Sequence, residues 1–149
     1  MTTGKKNLPD ILEHDFIICD ESVNRYAWRL LVGGIDLDGF MKNPVLLAKH
    51  DTQMVSLGKW KNLRVEKGQF LGTAEFDKND EVAVMYYFKY KNGYMNAVSL
   101  HVIPIEESDD KSLLKPGQKY PTLVKSELLE ISLVTIPGQK NAVKLCNPD

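Results

Sequence analysis

The chain has 149 residues, a formal net charge of -1, and 26% charged against 43% hydrophobic residues. That length can bury one core but not two of ordinary size, and the even charge balance offers no basic face for nucleic acid. No apolar run reaches the roughly 18 residues of a membrane span, and the polar opening MTTGKKNLPD does not read as a signal peptide.

Residues 1–13 are polar and are expected to form a flexible N-terminal tail, with a single domain over 14–146. His14, at the junction, reads as a solvated bystander. Cys19 and Cys146 lie far apart with no C-x-x-C spacing and are expected as reduced thiols. Strand-like runs follow: DFIICD (15–20), YAWRLLVGG (26–34), PVLLAKH (44–50), SLGKWKNLRVE (56–66) and QFLGTAEFD (69–77). Between them DLDGFMKN (36–43) fits a short helical turn, and Lys67-Gly68 fits a tight hairpin, glycine supplying the positive φ such turns require. One clear helix is expected near 79–92. Asn79 can cap it, Asp80 and Glu81 suit its positive end, Gly93 stops it, and Val82, Met85, Tyr86 and Phe88 give it an apolar side. GYMNAVSLHVIP (93–104) then reads as a strand, 106–121 as a flexible loop rich in charge, Pro and Gly, and TLVKSELLEISLVTIPG (122–138) as a long β-rich run. The expected class is mainly β with helices, as a barrel or sandwich.

Three histidines limit the search for chemistry. Strand alternation puts Ser99 and His101 on one face, about 6–7 Å apart. That exceeds the roughly 2.6–3.2 Å a base needs to take a hydroxyl proton, so His101 reads as a lining or packing residue. His50 closes the apolar run PVLLAKH, where a strand-end side chain can enter a cleft while the sheet holds its backbone. A partly buried imidazole without a catalytic role is the other reading. No H-x-x-x-H, H-x-H or clustered Cys/His spacing occurs, so neither a metal nor a cofactor is expected.

A serine nucleophile needs a base, and the base works best when a third group fixes its tautomer. Glu130 is one candidate. Alternation sets it with Leu128, Ser132 and Val134 on one face of an apolar strand, where a carboxylate is costly unless paired. Taken alone, an ion pair with an Arg or Lys from another strand explains it better. Glu127 begins the strand, is more open to water and is the weaker candidate. A Ser-Lys dyad through Lys49 or Lys59 has only sequence proximity behind it. An unrelated β-barrel, with Trp28, Trp60 and the tyrosines lining a ligand cleft, is a further alternative.

Four stretches in order carry a resemblance: LLVGGIDLDGFMKNPVLLAKHD (30–51), LGKWKNLRVEKGQFLGTAEFD (57–77), DEVAVMYYFKYKNGYMNAVSLHVIP (80–104) and SELLEISLVTIPGQKNAV (126–143). Together they resemble the tailed-phage prohead maturation proteases, whose fold is similar to that of the herpesvirus assembly proteases. The resemblance implies a closed or partly open β-barrel of herpesvirus-protease-like topology and a Ser-His-Glu serine endopeptidase. Carried over by residue, Ser99 is the nucleophile, His50 the general base and acid, and Glu130 the orienting acid. By analogy with the relatives, the backbone around Pro137 and Gly138 would form the oxyanion hole. The implied partners are the major capsid protein with its scaffolding segment, the protease itself, and a second copy in a homo-oligomer, with neither nucleic acid nor membrane. The implied place is the phage prohead, in the host cell cytoplasm. One departure stands out: the family usually carries Gly two residues after the serine, where this chain has His101. That feature favours the alternative, a catalytically inactive capsid-assembly or scaffold module of the same fold.

Overall fold

The computed structural model describes residues 8–145; the first seven residues of the expected tail, and Cys146 with the last residues, lie outside them. In chain order the strands are β1 (Leu12–Asp20), β2 (Ile35–Asp36), β3 (Leu46–Ala48), β4 (Gly58–Glu66), β5 (Gln69–Phe76), β6 (Ala97–Ser108) and β7 (Thr122–Val134). Helix α1 (Asp38–Met41) lies between β2 and β3, and α2 (Glu81–Lys91) between β5 and β6.

The first sheet is antiparallel in the order β1-β5-β4. Its hairpin turns at Lys67 and Gly68, both at positive φ (50° and 75°), the combination a two-residue turn needs to follow the twist of its strands. β1 starts at Leu12, earlier than its apolar run suggests, because the alternation extends back: Leu12, His14, Phe16 and Ile18 all point inward. His14 is therefore no solvated bystander. It is 7% exposed, its ring stacks on Tyr87 at 4.6 Å, and its Nε2 lies 3.0 Å from the Tyr87 carbonyl.

The second sheet is built around β7. One edge of β7 takes β6 antiparallel; the other takes the short β2 and β3, both parallel. The expected strand over 26–34 is not formed. That segment makes one bridge, Leu30 to Leu123, and a 3-10 turn at Val32–Gly34. Local bonds win over a ladder here: the Asn24 side chain accepts from the N–H groups of Tyr26 and Trp28, and Ala27 sits at φ 67°. Arg29, 4% exposed, turns inward and donates to the carbonyls of Glu21 and Leu113. In the stretch expected as a loop over 106–121, β6 runs on to Ser108 and a 3-10 turn follows at Lys111–Leu113.

Helix α2 is capped by Asp80, whose side chain accepts from Val82 N at 2.9 Å, and not by Asn79. Gly93, at φ 80°, takes the left-handed conformation just past its end. The buried side is also not the expected one: Ala83, Tyr87 and Tyr90 face the core at i, i+4 and i+7, while Val82 and Met85 are about half exposed. Two tyrosines can serve as core residues because their polar ends are accommodated. Tyr90, fully buried, packs against Phe16 and donates its hydroxyl to the Ala97 carbonyl at 2.6 Å, and burial pushes its pKa up. That bond ties the helix to the start of the strand carrying Ser99.

Trp60 joins the sheets. It is buried against Phe16 and donates its indole N–H to the Ile131 carbonyl on β7 at 3.2 Å. Further single bridges, Phe16 to Lys144 and Val45 to Lys59, connect the two layers. The fold is thus mainly β with one clear helix. The two sheets are not closed on each other by continuous ladders, so the barrel part of the expectation gains no support from strand pairing. Among the described residues no helix is long and apolar enough to cross a membrane.

Candidate active site

The site begins where β3 stops. The run PVLLAKH yields only three strand residues because Lys49 and His50 both take the left-handed conformation, at φ 60° and 57°. Such a conformation is uncommon outside glycine and costs a non-glycine residue about 1–3 kcal/mol, so the surroundings must hold it. They do so through β7: Lys49 N donates to the Leu133 carbonyl at 2.9 Å, and His50 N donates to Ser132 Oγ at 3.1 Å.

His50 Nδ1 is hydrogen-bonded to Glu130 Oε2. Glu130 is 2% exposed, and its other oxygen accepts from Ser132 Oγ at 2.6 Å. Ser132, fully buried, therefore donates to the carboxylate and accepts from the histidine backbone with a single hydroxyl. The buried carboxylate has its partners, and they are not the Arg or Lys that a simple ion pair would supply. An imidazole held at Nδ1 by a carboxylate keeps Nε2 free to act as a base.

Ser99 reaches the same place from β6. The antiparallel register sets Ser99 opposite Ser132 and His101 opposite Glu130. A cavity of about 270 Å³ is lined by Ser99, His50 and His101 together with Tyr26, Ile136 and Gly138. The His101 ring stands edge-on to His50, with centroids 6.4 Å apart. Glu127 is exposed and lies elsewhere, beside Asp36 of β2 and against Gly39 of α1. Lys49 and Lys59 are exposed and do not line this cavity.

The turn after β7 needs one correction. Pro137 has no backbone N–H and cannot serve as an oxyanion donor. Its carbonyl accepts from Arg25 Nε at 3.0 Å, and that of Gly138 accepts from Arg25 N at 2.9 Å. Gly138 itself borders the cavity, and a Cβ there would come within 3.1 Å of the Tyr26 ring. Asp20 fastens this turn to β1: its N–H donates to Gln139 Oε1 and its carbonyl accepts from Gln139 Nε2, both at 2.7 Å. Among the described residues no group of three or more His, Cys, Asp and Glu side chains is placed to hold a metal ion.

Two residues of the site were not singled out from the sequence. Ser132 carried a signal, since it shares the face of Glu130 two positions on. Tyr26 carried none beyond being aromatic.

A mainly β fold that brings a serine and a histidine to one cavity, with a buried carboxylate bonded to the histidine, has the constitution of a serine hydrolase. The family model of the caudovirus prohead serine proteases matches residues 38–147, which includes all three. The chain belongs to that family. Comparison with curated proteins and with solved structures returns no match.

Proposed function

We propose that this chain is the endopeptidase that cleaves scaffolding segments of the major capsid protein, and itself, inside the phage precursor head in the host cytoplasm. Ser99 Oγ attacks the scissile carbonyl while His50 Nε2 takes its proton. Glu130 holds the imidazole through Nδ1 and stabilises its charged form. The tetrahedral oxyanion is met by the Gly138 N–H. His50 then gives the proton to the leaving amine, and water, activated by the same imidazole, releases the acyl group from Ser99. The observation that carries this reading is the Glu130–His50 hydrogen bond at the edge of a cavity that Ser99 lines. A herpesvirus-protease-like barrel topology and a homo-oligomeric working form belong to the same proposal. In a shell interior, high local concentration favours such association by mass action.

Co-expression with the cognate capsid protein, read by intact mass, tests it. Ser99→Ala is expected to remain folded and to abolish shortening, a loss on the order of 10⁶-fold, while Glu130→Gln loses about 10⁴-fold and stays detectable. Full cleavage by Ser99→Ala would end the proposal. One observation favours a second reading, a non-catalytic assembly module: His101 stands in the cavity edge-on to His50, where the family usually has Gly. A fluorophosphonate adduct on Ser99 excludes that module.

A further inference from the structure

A groove of about 750 Å³ continues from the site along β6, in the size range of pockets that bind ligands. It shares Tyr26, Leu100 and His101 with the Ser99 cavity, so the two adjoin and one extended peptide can run from the groove into the cavity that Ser99 lines. β6 contributes Leu100, Val102 and Pro104; Trp28, Tyr120 and Pro121 come from the two segments that face it. Those segments are bonded to each other. The Ala27 carbonyl accepts from Lys119 N at 2.8 Å and from Tyr120 N at 3.3 Å, and Arg29 fixes the Leu113 carbonyl at 2.8 Å. The backbone that carries Trp28 and Tyr120 is thus held in place before any ligand arrives. At the groove's border stands Glu107, its one carboxylate; no Lys or Arg lines it.

We infer that this groove is the specificity site of the protease, binding an extended substrate peptide with a bulky apolar side chain between Trp28 and Tyr120 and a basic residue at Glu107. The inference rests on the proteolytic reading above and adds the class of sequence that is cut. Apolar and aromatic walls reward a large side chain over a small one, about tenfold or more. An exposed carboxylate adds a smaller preference for positive charge, about two- to fivefold.

The test is binding, so it is independent of turnover. Ser99→Ala protein is screened against a positional-scanning library of octapeptides, with affinities of selected peptides followed by tryptophan fluorescence. The expected result is selection of one bulky apolar position and one Lys or Arg position. In the Ser99→Ala background, Tyr120→Ala should cut the apolar preference about tenfold. Glu107→Lys, a change at an exposed residue, should turn the basic preference into an acidic one. A flat library, or preferences that neither variant moves, overturns the groove as the specificity site. The catalytic reading fails separately, by absence of a Ser99 adduct with fluorophosphonate.

Discussion

Ser132 shows how much a site can depend on a residue with no reacting atom. Its hydroxyl satisfies one oxygen of a carboxylate buried at 2% exposure and receives the backbone N–H of a histidine held at positive φ. Replacing it by Ala strands Glu130 Oε1 and the His50 N–H, while Glu130 Oε2 keeps the imidazole; a buried polar atom so stranded costs about 1–3 kcal/mol. The larger effect falls on aim. Ser132→Ala is expected to lower kcat about 10- to 100-fold with little change in KM, because the imidazole loses its fixed approach. Steady-state kinetics on a capsid-derived peptide measure it, and a fall confined to KM would contradict the positioning role. Glu130 was legible at this scale because a carboxylate on the apolar parity of a strand demands a partner. Which partner was not legible, since His50 lies 80 residues away and pairs through a fold the local pattern does not encode.

At the scale of elements, α2 and β1 meet through His14 and Tyr87. Burial lowers the His14 pKa below its ordinary 6.5; the Tyr87 carbonyl opposes this, and the charges of Lys144 and Lys91 add to the lowering. Above pH 6.5 the imidazole is neutral in both folded and unfolded chains, and its contribution to stability is complete. As pH falls from there through the folded value, the unfolded chain takes up the proton first, and stability is lost. Urea midpoints at pH 7.5 and 5.5 are expected to differ more in the wild type than in His14→Gln; equal differences would show that His14 carries none of the dependence. The error over α2 has the same origin as the error over His14. Helical period identified an apolar side, but Tyr87 and Tyr90 outcompete Val82 and Met85 for the core because the strands below offer aromatic partners and a carbonyl.

For the molecule as a whole, strand runs were legible where apolar residues gather between turn signals, as in β1, β4, β5 and β7. Segment 26–34 was not, because a buried Arg29 and the Asn24 side chain bind its surroundings instead of a ladder. Nor could the sequence reveal that β7 takes parallel partners on one edge, which depends on contacts between distant parts of the chain. Arg29 is the joint between the end of β1 and the segment bearing Tyr120. Arg29→Met is expected to cost about 1–3 kcal/mol, chiefly by stranding the Glu21 carbonyl, because the Thr122 hydroxyl also donates to that of Leu113. Trypsin should then cut after Lys115 or Lys119 faster than in the wild type under conditions where both remain folded. Equal digestion rates would place the joint elsewhere.

The position of β7 has a consequence for timing. The first sheet uses only residues between Leu12 and Phe76, and can pair as soon as that length has left the ribosome. β2, β3 and β6 find their ladder partner only in β7, the last strand among the described residues. Glu130, Ser132 and the turn at Gly138 arrive with it or after it. The Glu130–His50 contact and the pairing of Ser99 opposite Ser132 therefore cannot form on a nascent chain until β7 has emerged, which sets a delay between pairing of the first sheet and assembly of the candidate site.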